Sequence, residues 1–244
     1  MHPETALQTG SASNPKFDLP EPADLPSDSK RTLWATQYFI QPVNAVPSGE
    51  PLLDKNGNSL GPMVSARDWC KGAIEGTMSI KTLDGQIKLF NFAGKGASAQ
   101  VNCRTVLGSP GLSLAINKSR FTLARGPFGD GVRDLFLVPF RTIAVDKGQL
   151  NGLKFETALF IPAARGTELT LPSGSKVVHD GYFFAADTGG MITGNHIDVF
   201  TGVITASHNP FPKFLKSTPG GTFDAFLIND PNIRAALKTM HTTP

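Results

Sequence analysis

The stretch that most constrains this chain is Ala185-Ala186-Asp187-Thr188-Gly189-Gly190-Met191-Ile192-Thr193-Gly194-Asn195-His196-Ile197-Asp198-Val199-Phe200. Apolar strand-like segments flank a turn that needs glycine-rich backbone, and the turn aims two carboxylates, Asp187 and Asp198, into one place. A third acid, Asp146, ends the apolar run Arg141-Thr142-Ile143-Ala144-Val145-Asp146. Carboxylates at the ends of core-bound strands are unfavourable unless paired, hydrogen-bonded or protonated, so their placement points to a site.

The 244 residues suffice for one large domain with a real core. Glycine (25) and proline (19) are frequent, phenylalanine (17) dominates the aromatics, and long amphipathic stretches are nearly absent, which favours a β-rich fold punctuated by turns. The 23 Lys+Arg and 20 Asp+Glu leave a formal charge of only +3, without a basic block interleaved with aromatics. That excludes a nucleic-acid footprint, while the mild positive bias suits an anionic polymer. No apolar run approaches the roughly 18 residues of a membrane span. Met1-His2-Pro3-Glu4-Thr5 lacks the basic and apolar regions of a signal peptide, so the expectation is that a leader has been removed or that the chain reaches its target by another route. Cys70 and Cys103 form either one disulfide or two buried thiols, and they lack metal-ligand spacing.

Residues 1–30 combine Pro, Ser, Asp and Glu without periodicity and read as a flexible leader. Residues 31–244 read as a single barrel domain with an insertion at about 44–130, taken as an inserted loop region rather than a second domain. Leu33–Ile40 is a first strand with Trp34, Thr36 and Tyr38 on one face. Ser65 caps a short helix holding Trp69 and Cys70, and strands are expected at Ala73–Ile80 and Gln86–Phe92, joined by the hairpin signal Asp84-Gly85. Further strands are expected at Ser119–Ala124, at Arg133–Asp146 with an interruption at Pro139, at Phe155–Pro162, at Glu168–Leu171 and at Ile197–Phe200. Lys176–Asp187 reads as one long strand with Gly181 as a bulge. Phe223–Met240 reads as one or two helical turns broken by Pro231. Many short strands with one covering helix argue for a closed barrel, since closure removes unpaired edges.

Three pieces together resemble the 3D domain, named for its three aspartates, of wall-active proteins related to the membrane-bound lytic transglycosylase A family. They are Val138-Pro139-Phe140-Arg141-Thr142-Ile143-Ala144-Val145-Asp146, then Phe160-Ile161-Pro162, then Asp187 through Asp198. The resemblance covers roughly residues 136–203, with a weaker likeness at Ala35-Thr36-Gln37-Tyr38. It implies an all-β double-psi β-barrel that cleaves peptidoglycan glycan strands without water, in the periplasm or cell envelope or after delivery there as an effector or phage lysin. It places the catalytic acid/base at Asp198, with Asp187 and Asp146 as supporting carboxylates. Where family members often carry Lys, this chain has Thr193.

The chemistry can be reasoned without the family. Breaking a glycosidic bond needs a neutral acid near neutral pH, and crowding carboxylates in a partly desolvated groove raises the pKa of one of them. In the lytic reaction the sugar's own C6 hydroxyl attacks the anomeric carbon, so no second carboxylate need activate water. Gly189 and Gly190 permit close approach of the polymer, and Thr36, Tyr38, Thr188, Asn195 and His196 are candidate substrate contacts. Each has a plainer alternative: Asp187 as an Asx-turn former, His196 as an exposed turn residue, Trp34 as core. Arg141 either neutralises the aspartates, binds substrate or faces solvent, and Glu75 is an acid within a strand.

Two other classes compete. Three aspartates can hold a divalent cation, but no phosphate-handling basic cluster or anion loop accompanies them. A similar barrel also serves as a non-catalytic, expansin-like wall-loosening module. The working expectation is a monomeric enzyme acting on peptidoglycan, with no cofactor, metal, nucleic acid or membrane span.

Overall fold

The computed structural model describes residues 15–148, 152–203 and 208–243. Residues 1–14 of the expected leader lie outside them. The chain forms two compact units: one is Phe39–Gly129, and the other joins the segment ending at Tyr38 to everything from Asp130 onward.

In chain order the strands are β1 (Lys30–Tyr38), β2 (Gln41–Asn44), β3 (Glu50–Leu53), β4 (Ser59–Val64), β5 (Thr77–Lys81), β6 (Ile87–Lys95) and β7 (Ser119–Leu123). They continue with β8 (Thr142–Val145), β9 (Ala158–Phe160), β10 (Glu168–Thr170), β11 (Lys176–Val178), β12 (Tyr182–Thr188), β13 (His196–Phe200) and β14 (Phe223–Ile228). The α-helices are α1 (Ala66–Glu75), α2 (Cys103–Leu107) and α3 (Pro231–Thr242).

In the second unit six strands close a barrel in the order β1-β13-β8-β12-β9-β14. β1 runs parallel to β13 and β8 parallel to β12, while the remaining neighbours are antiparallel. Alternation assigns the faces. In β1, Leu33 and Ala35 are wholly buried in the barrel core with Phe140, Ile143, Val145, Phe183, Ile197 and Val199, while Trp34 and Thr36 are half-buried on the other face. β12 is apolar on both faces because Phe183 and Ala185 fill the barrel while Tyr182, Phe184 and Ala186 form a second cluster with Ile233 and Leu237 of α3.

Residues 15–29 of the expected leader pack on the barrel unit. Phe17 packs against the barrel core and Leu19 and Leu25 against the second cluster, while the Leu19 N–H donates to Asp180 at 3.1 Å. These half-buried contacts of Phe17, Leu19 and Leu25 offset part of the entropy of ordering the strap.

Arg133–Asp146 contributes only β8, since Arg133, Asp134 and Phe140 take positive φ and break the extended backbone. Lys176–Asp187 is two strands in different sheets, with β11 paired only to β10. Gly181, at φ 92°, sits at the break between them, and the bulge falls instead between Ala185 and Asp187. Pro231 opens α3 instead of interrupting it: it lies in the first turn, where its missing N–H leaves no helical bond unmade, and Asp230 caps the Asn232 and Ile233 amides. The residues just before it, Phe223–Ile228, are a barrel strand.

The inserted segment is more than a loop region. Phe39–Gly129 has its own sheet, β2-β5-β6-β7, a β3-β4 ribbon, and a core of Leu52, Val64, Trp69, Met78, Ile80, Phe90 and Phe121. Cys70 of α1 and Cys103 of α2 form a disulfide within that core. The Ser65 hydroxyl caps α1 at the Asp68 amide, and left-handed Gly76 ends the helix after Glu75, so the strand expected from Ala73 begins only at Thr77. Asp84-Gly85 makes the β5–β6 hairpin as its sequence predicts.

Candidate active site

The barrel brings four side chains into one row. Asp198 on β13 is paired with Thr36 on β1 and with Ala144 on β8, and Ala144 is paired in turn with Asp187 on β12. The bulge decides this. Ala185 pairs with Ile143, and the extra residue Ala186 lets Asp187, rather than Ala186, stand opposite Ala144. Without it Asp187 would face Val145 and point toward the core, because a one-residue slip reverses every side chain. The small Ala144 between the two acids leaves room for their carboxylates.

The Asp198 carboxyl is half-buried, with its Oδ1 2.8 Å from Thr36 Oγ1. Burial raises its pKa to about 7; the Thr36 hydrogen bond opposes the rise and the nearby charge of Asp187 adds to it. Burial likewise lifts Asp187 to about 6, against the Thr188 amide, the Tyr38 hydroxyl and the more distant Lys147, each of which favours its charged form. Tyr38 donates to Asp187 Oδ2 at 2.9 Å and the Thr188 N–H to Oδ1 at 2.8 Å. Burial and the charge of Asp187 together keep the Asp198 carboxyl protonated to near neutral pH.

Asp146 is a different kind of acid. Its Oδ2 accepts from the Gly194 N–H at 2.6 Å and its Oδ1 from the Gly148 N–H at 2.7 Å, and these two bonds pull its pKa below the usual carboxylate value. It ties the loop after β12 to the end of β8, and it is not among the groups that shift Asp198. Of the two parts expected of Asp146, holding the network and tuning the acid, its hydrogen bonds supply the first.

That loop is shaped by named contacts. A Cβ on Gly189 would stand 2.4 Å from Ile192 Cγ1, whose side chain is buried, so only glycine fits without rearrangement. Around Gly190 there is open space, and with Met191, Thr193 and Asn195 it forms the exposed part of the loop. Asn195 accepts from the Trp34 N–H through its carbonyl and reaches the Thr32 carbonyl with its side chain at 3.4 Å.

His196 is buried, not exposed as its turn setting suggests. Its ring stacks on Trp34 with centroids 3.6 Å apart and planes 7° from parallel, and its Nε2 lies 2.8 Å from Thr36 Oγ1. Burial lowers its pKa below 6.5, while a hydrogen bond to the Met191 carbonyl works the other way. Trp34 is neither core nor a free platform: it is half-buried against this imidazole. Tyr38 is also buried, tilted against Phe200, with its hydroxyl given to Asp187.

Arg141 stands apart from the aspartates. It is wholly buried, bonds Asp180 through both terminal nitrogens at 2.5 and 2.6 Å, and donates to the Tyr182 and Lys16 carbonyls under the ring of Phe17. Both its expected roles at the site and its expected solvent exposure are overturned. Its partner Asp180 carried no sequence signal beyond being an acid next to an apolar strand. Glu75 ends α1 and accepts from the Phe39 N–H at 3.1 Å. Among the described residues no three His, Cys, Asp or Glu side chains are grouped as a metal centre would need, and no helix is long and apolar enough to cross a membrane.

Residues 141–210 match the family model of the 3D domain, so the second unit carries a 3D domain. Among solved structures the chain resembles MltA of Escherichia coli with bound chitohexaose, at 16% identity over 80% of this chain and 71% of that one, with a TM-score of 0.51. It likewise resembles a membrane-bound lytic murein transglycosylase from Agrobacterium tumefaciens, at 18% identity over 86% of this chain and 76% of that one, with a TM-score of 0.51. The fold is that of these proteins. No curated protein matches the chain by sequence.

Proposed function

We propose that this 3D-domain protein is a peptidoglycan lytic transglycosylase that cleaves the MurNAc–GlcNAc bond and leaves a 1,6-anhydro-MurNAc end, with Asp198 as its one acid/base. The observation that carries the reading is the Asp198 carboxyl poised at about pH 7 beside a second acid. Neutral Asp198 protonates the glycosidic oxygen as the bond to the anomeric carbon breaks. The C6 hydroxyl of the same sugar then closes on that carbon, and the Asp198 carboxylate takes the hydroxyl proton. No proton is left over and no water is consumed, which agrees with Asp187 being held by Tyr38 and Thr188 as a charged neighbour instead of a water-activating base.

The shared fold with MltA, crystallised with chitohexaose, supports a glycan substrate. In this reading Gly190, Thr193 and Asn195 at the open part of the loop meet the sugar chain, Thr193 through its hydroxyl. The closed barrel, with its two parallel strand pairs, is read as a double-psi barrel. The Cys70–Cys103 disulfide suits an oxidising compartment such as the periplasm, where the chain acts as a monomer without a cofactor. A wall-binding, expansin-like role is the second reading, but binding alone has no use for a carboxyl titrating near neutrality.

Mass spectrometry of fragments released from purified sacculi separates these. Anhydro ends, lighter by one water than hydrolytic ends, are the expected product. Hydrated ends mean a hydrolase, and retention on sacculi without release means a binding module.

A further inference from the structure

The bulge that turns Asp187 toward Asp198 leaves Ala186 without a partner on β8, and pairing with β9 has already ended at Phe184. At Ala185 the outer edge of β12 is still met by the chain just before β9: the Ala185 N–H donates to the Thr157 carbonyl and the Glu156 N–H to the Ala185 carbonyl. One residue later the partner changes. The Ala186 carbonyl accepts from the Val132 N–H at 2.9 Å, and without that donor a wholly buried residue would keep an orphan acceptor, at a cost of about 1–3 kcal/mol.

Val132 opens a tight turn. Arg133 and Asp134 both take positive φ, 53° and 62°, and the Leu135 N–H returns to the Val132 carbonyl at 3.1 Å. Two successive non-glycine residues in that region persist only where surrounding contacts hold them. Three contacts do so. The Gly131 N–H donates to the Leu135 carbonyl at 2.8 Å, Leu135 shares a buried cluster with Ala186, Ile233 and Leu237, and the Phe136 N–H donates to the His241 carbonyl in the last turn of α3 at 2.7 Å. His241 in turn lies 3.1 Å from the Thr142 hydroxyl on β8. The hairpin thus braces β12 from outside the barrel. Gly131 sets how closely it approaches: its φ lies outside the left-handed region, so its backbone accepts alanine, but a Cβ would press on the Ala186 carbonyl oxygen inside contact distance.

We propose that Gly131 and Val132 are positioning residues for the two acids: their hairpin clamps the bulged Ala186 and thereby keeps Asp187 on the face of the barrel that carries Asp198. The inference rests on the reading of those acids as the active pair and adds what holds them together. Released from the clamp, β12 runs straight, which sets Ala186 opposite Ala144 and turns Asp187 away from the row and from the Tyr38 hydroxyl.

The test is a titration of the aspartate carboxyl carbons by NMR in the full chain carrying 13C-labelled aspartate, with and without Gly131→Ala. Whichever side yields to the new methyl group, the Val132–Ala186 bond opens. Asp187 then loses the Tyr38 donor to its charged form, and its midpoint is expected to rise by about half a pH unit, while Asp198, relieved of a nearby charge, falls by about as much. Lys147, which also acts on Asp187, is unaltered. Asp146, held by Gly148 and Gly194, is expected to keep its midpoint. A substitution that only weakens the fold moves no midpoint in the folded molecules. Unmoved Asp187 and Asp198 midpoints in a folded Gly131→Ala chain overturn the clamp, as does an equal shift at Asp146. Should that variant not fold, amide hydrogen exchange in the unaltered chain decides. A clamp opens no more often than what it holds, so the Val132 amide is expected to be protected at least as strongly as the Thr188 amide beside Asp187, and a Val132 amide about ten-fold less protected overturns the clamp. No glycan enters either measurement. Shifted midpoints beside a parent chain that releases no anhydro ends refute the lytic reading alone, and unmoved midpoints beside a parent that releases them refute the clamp alone.

Discussion

Asp187 reaches the face of the barrel occupied by Asp198 through a one-residue bulge, and both acids are paired with the same small residue, Ala144. Their coupling follows from that shared neighbour: the charge on Asp187 makes a second negative charge at Asp198 less favourable.

Removing the Tyr38 hydroxyl tests the coupling. In Tyr38→Phe, Asp187 loses a donor to its charged form and its pKa rises above about 6. More of it is then neutral, its repulsion of a charge on Asp198 weakens, and the Asp198 pKa falls. The basic limb of the kcat profile is expected to move to lower pH, and a move to higher pH contradicts the coupling.

Two adjacent glycines are expected to behave differently. Gly189→Ala forces a Cβ against the buried Ile192 and is expected to cost about 1–3 kcal/mol with loss of activity, as overpacked sites do. Gly190→Ala meets open space and is expected to remain within about 1 kcal/mol of the parent in urea unfolding.

Much of this site was legible because its signals are local. A glycine-rich turn between two strands places Asp187 and Asp198 near each other, and Asp84-Gly85 announces its hairpin within four residues. What escaped depends on partners remote in sequence. Arg141 lies 39 residues from Asp180, so nothing in its own strand shows that it is consumed by a buried ion pair. His196 looks exposed in its turn, and only the parallel pairing of β13 with β1 sets it on Trp34. The bulge at Ala186 is silent because alanine fits either register. The ordered strap around Phe17 is equally silent, since its partners lie on the far strands.

Arg141→Met is expected to fail through stability rather than binding. It leaves Asp180 buried and unpaired, a loss of about 3–5 kcal/mol in urea or thermal unfolding. At a temperature where the variant stays folded, its KM for glycan should match that of the parent, and a raised KM with unchanged stability contradicts the buried-pair account.

The titrating acids also set how stability follows pH. In the folded chain Asp198 and Asp187 hold protons to about 7 and 6, against 3.8 when unfolded. Their contribution is complete below about pH 3.8 and is lost as pH rises through 6 and 7. Asp198→Asn is therefore expected to stabilise the chain at about pH 8 by roughly 1–2 kcal/mol, discounted for partial solvent access, with little gain near pH 4. Asp146 has the opposite sign: its lowered pKa gives stability present above 3.8 and lost as pH falls through the folded value. Asp146→Asn should weaken the fold at neutral pH and not in strong acid, as read from urea midpoints.

The most direct measurement is the rate of anhydro-muropeptide release from purified sacculi by the parent chain and by Asp198→Asn at neutral pH, with circular dichroism to show that the fold is unchanged. The amide keeps the shape of the carboxyl but cannot cycle a proton, so release is expected to fall on the order of a thousand-fold. Release at the parental rate from a folded Asp198→Asn chain contradicts the account.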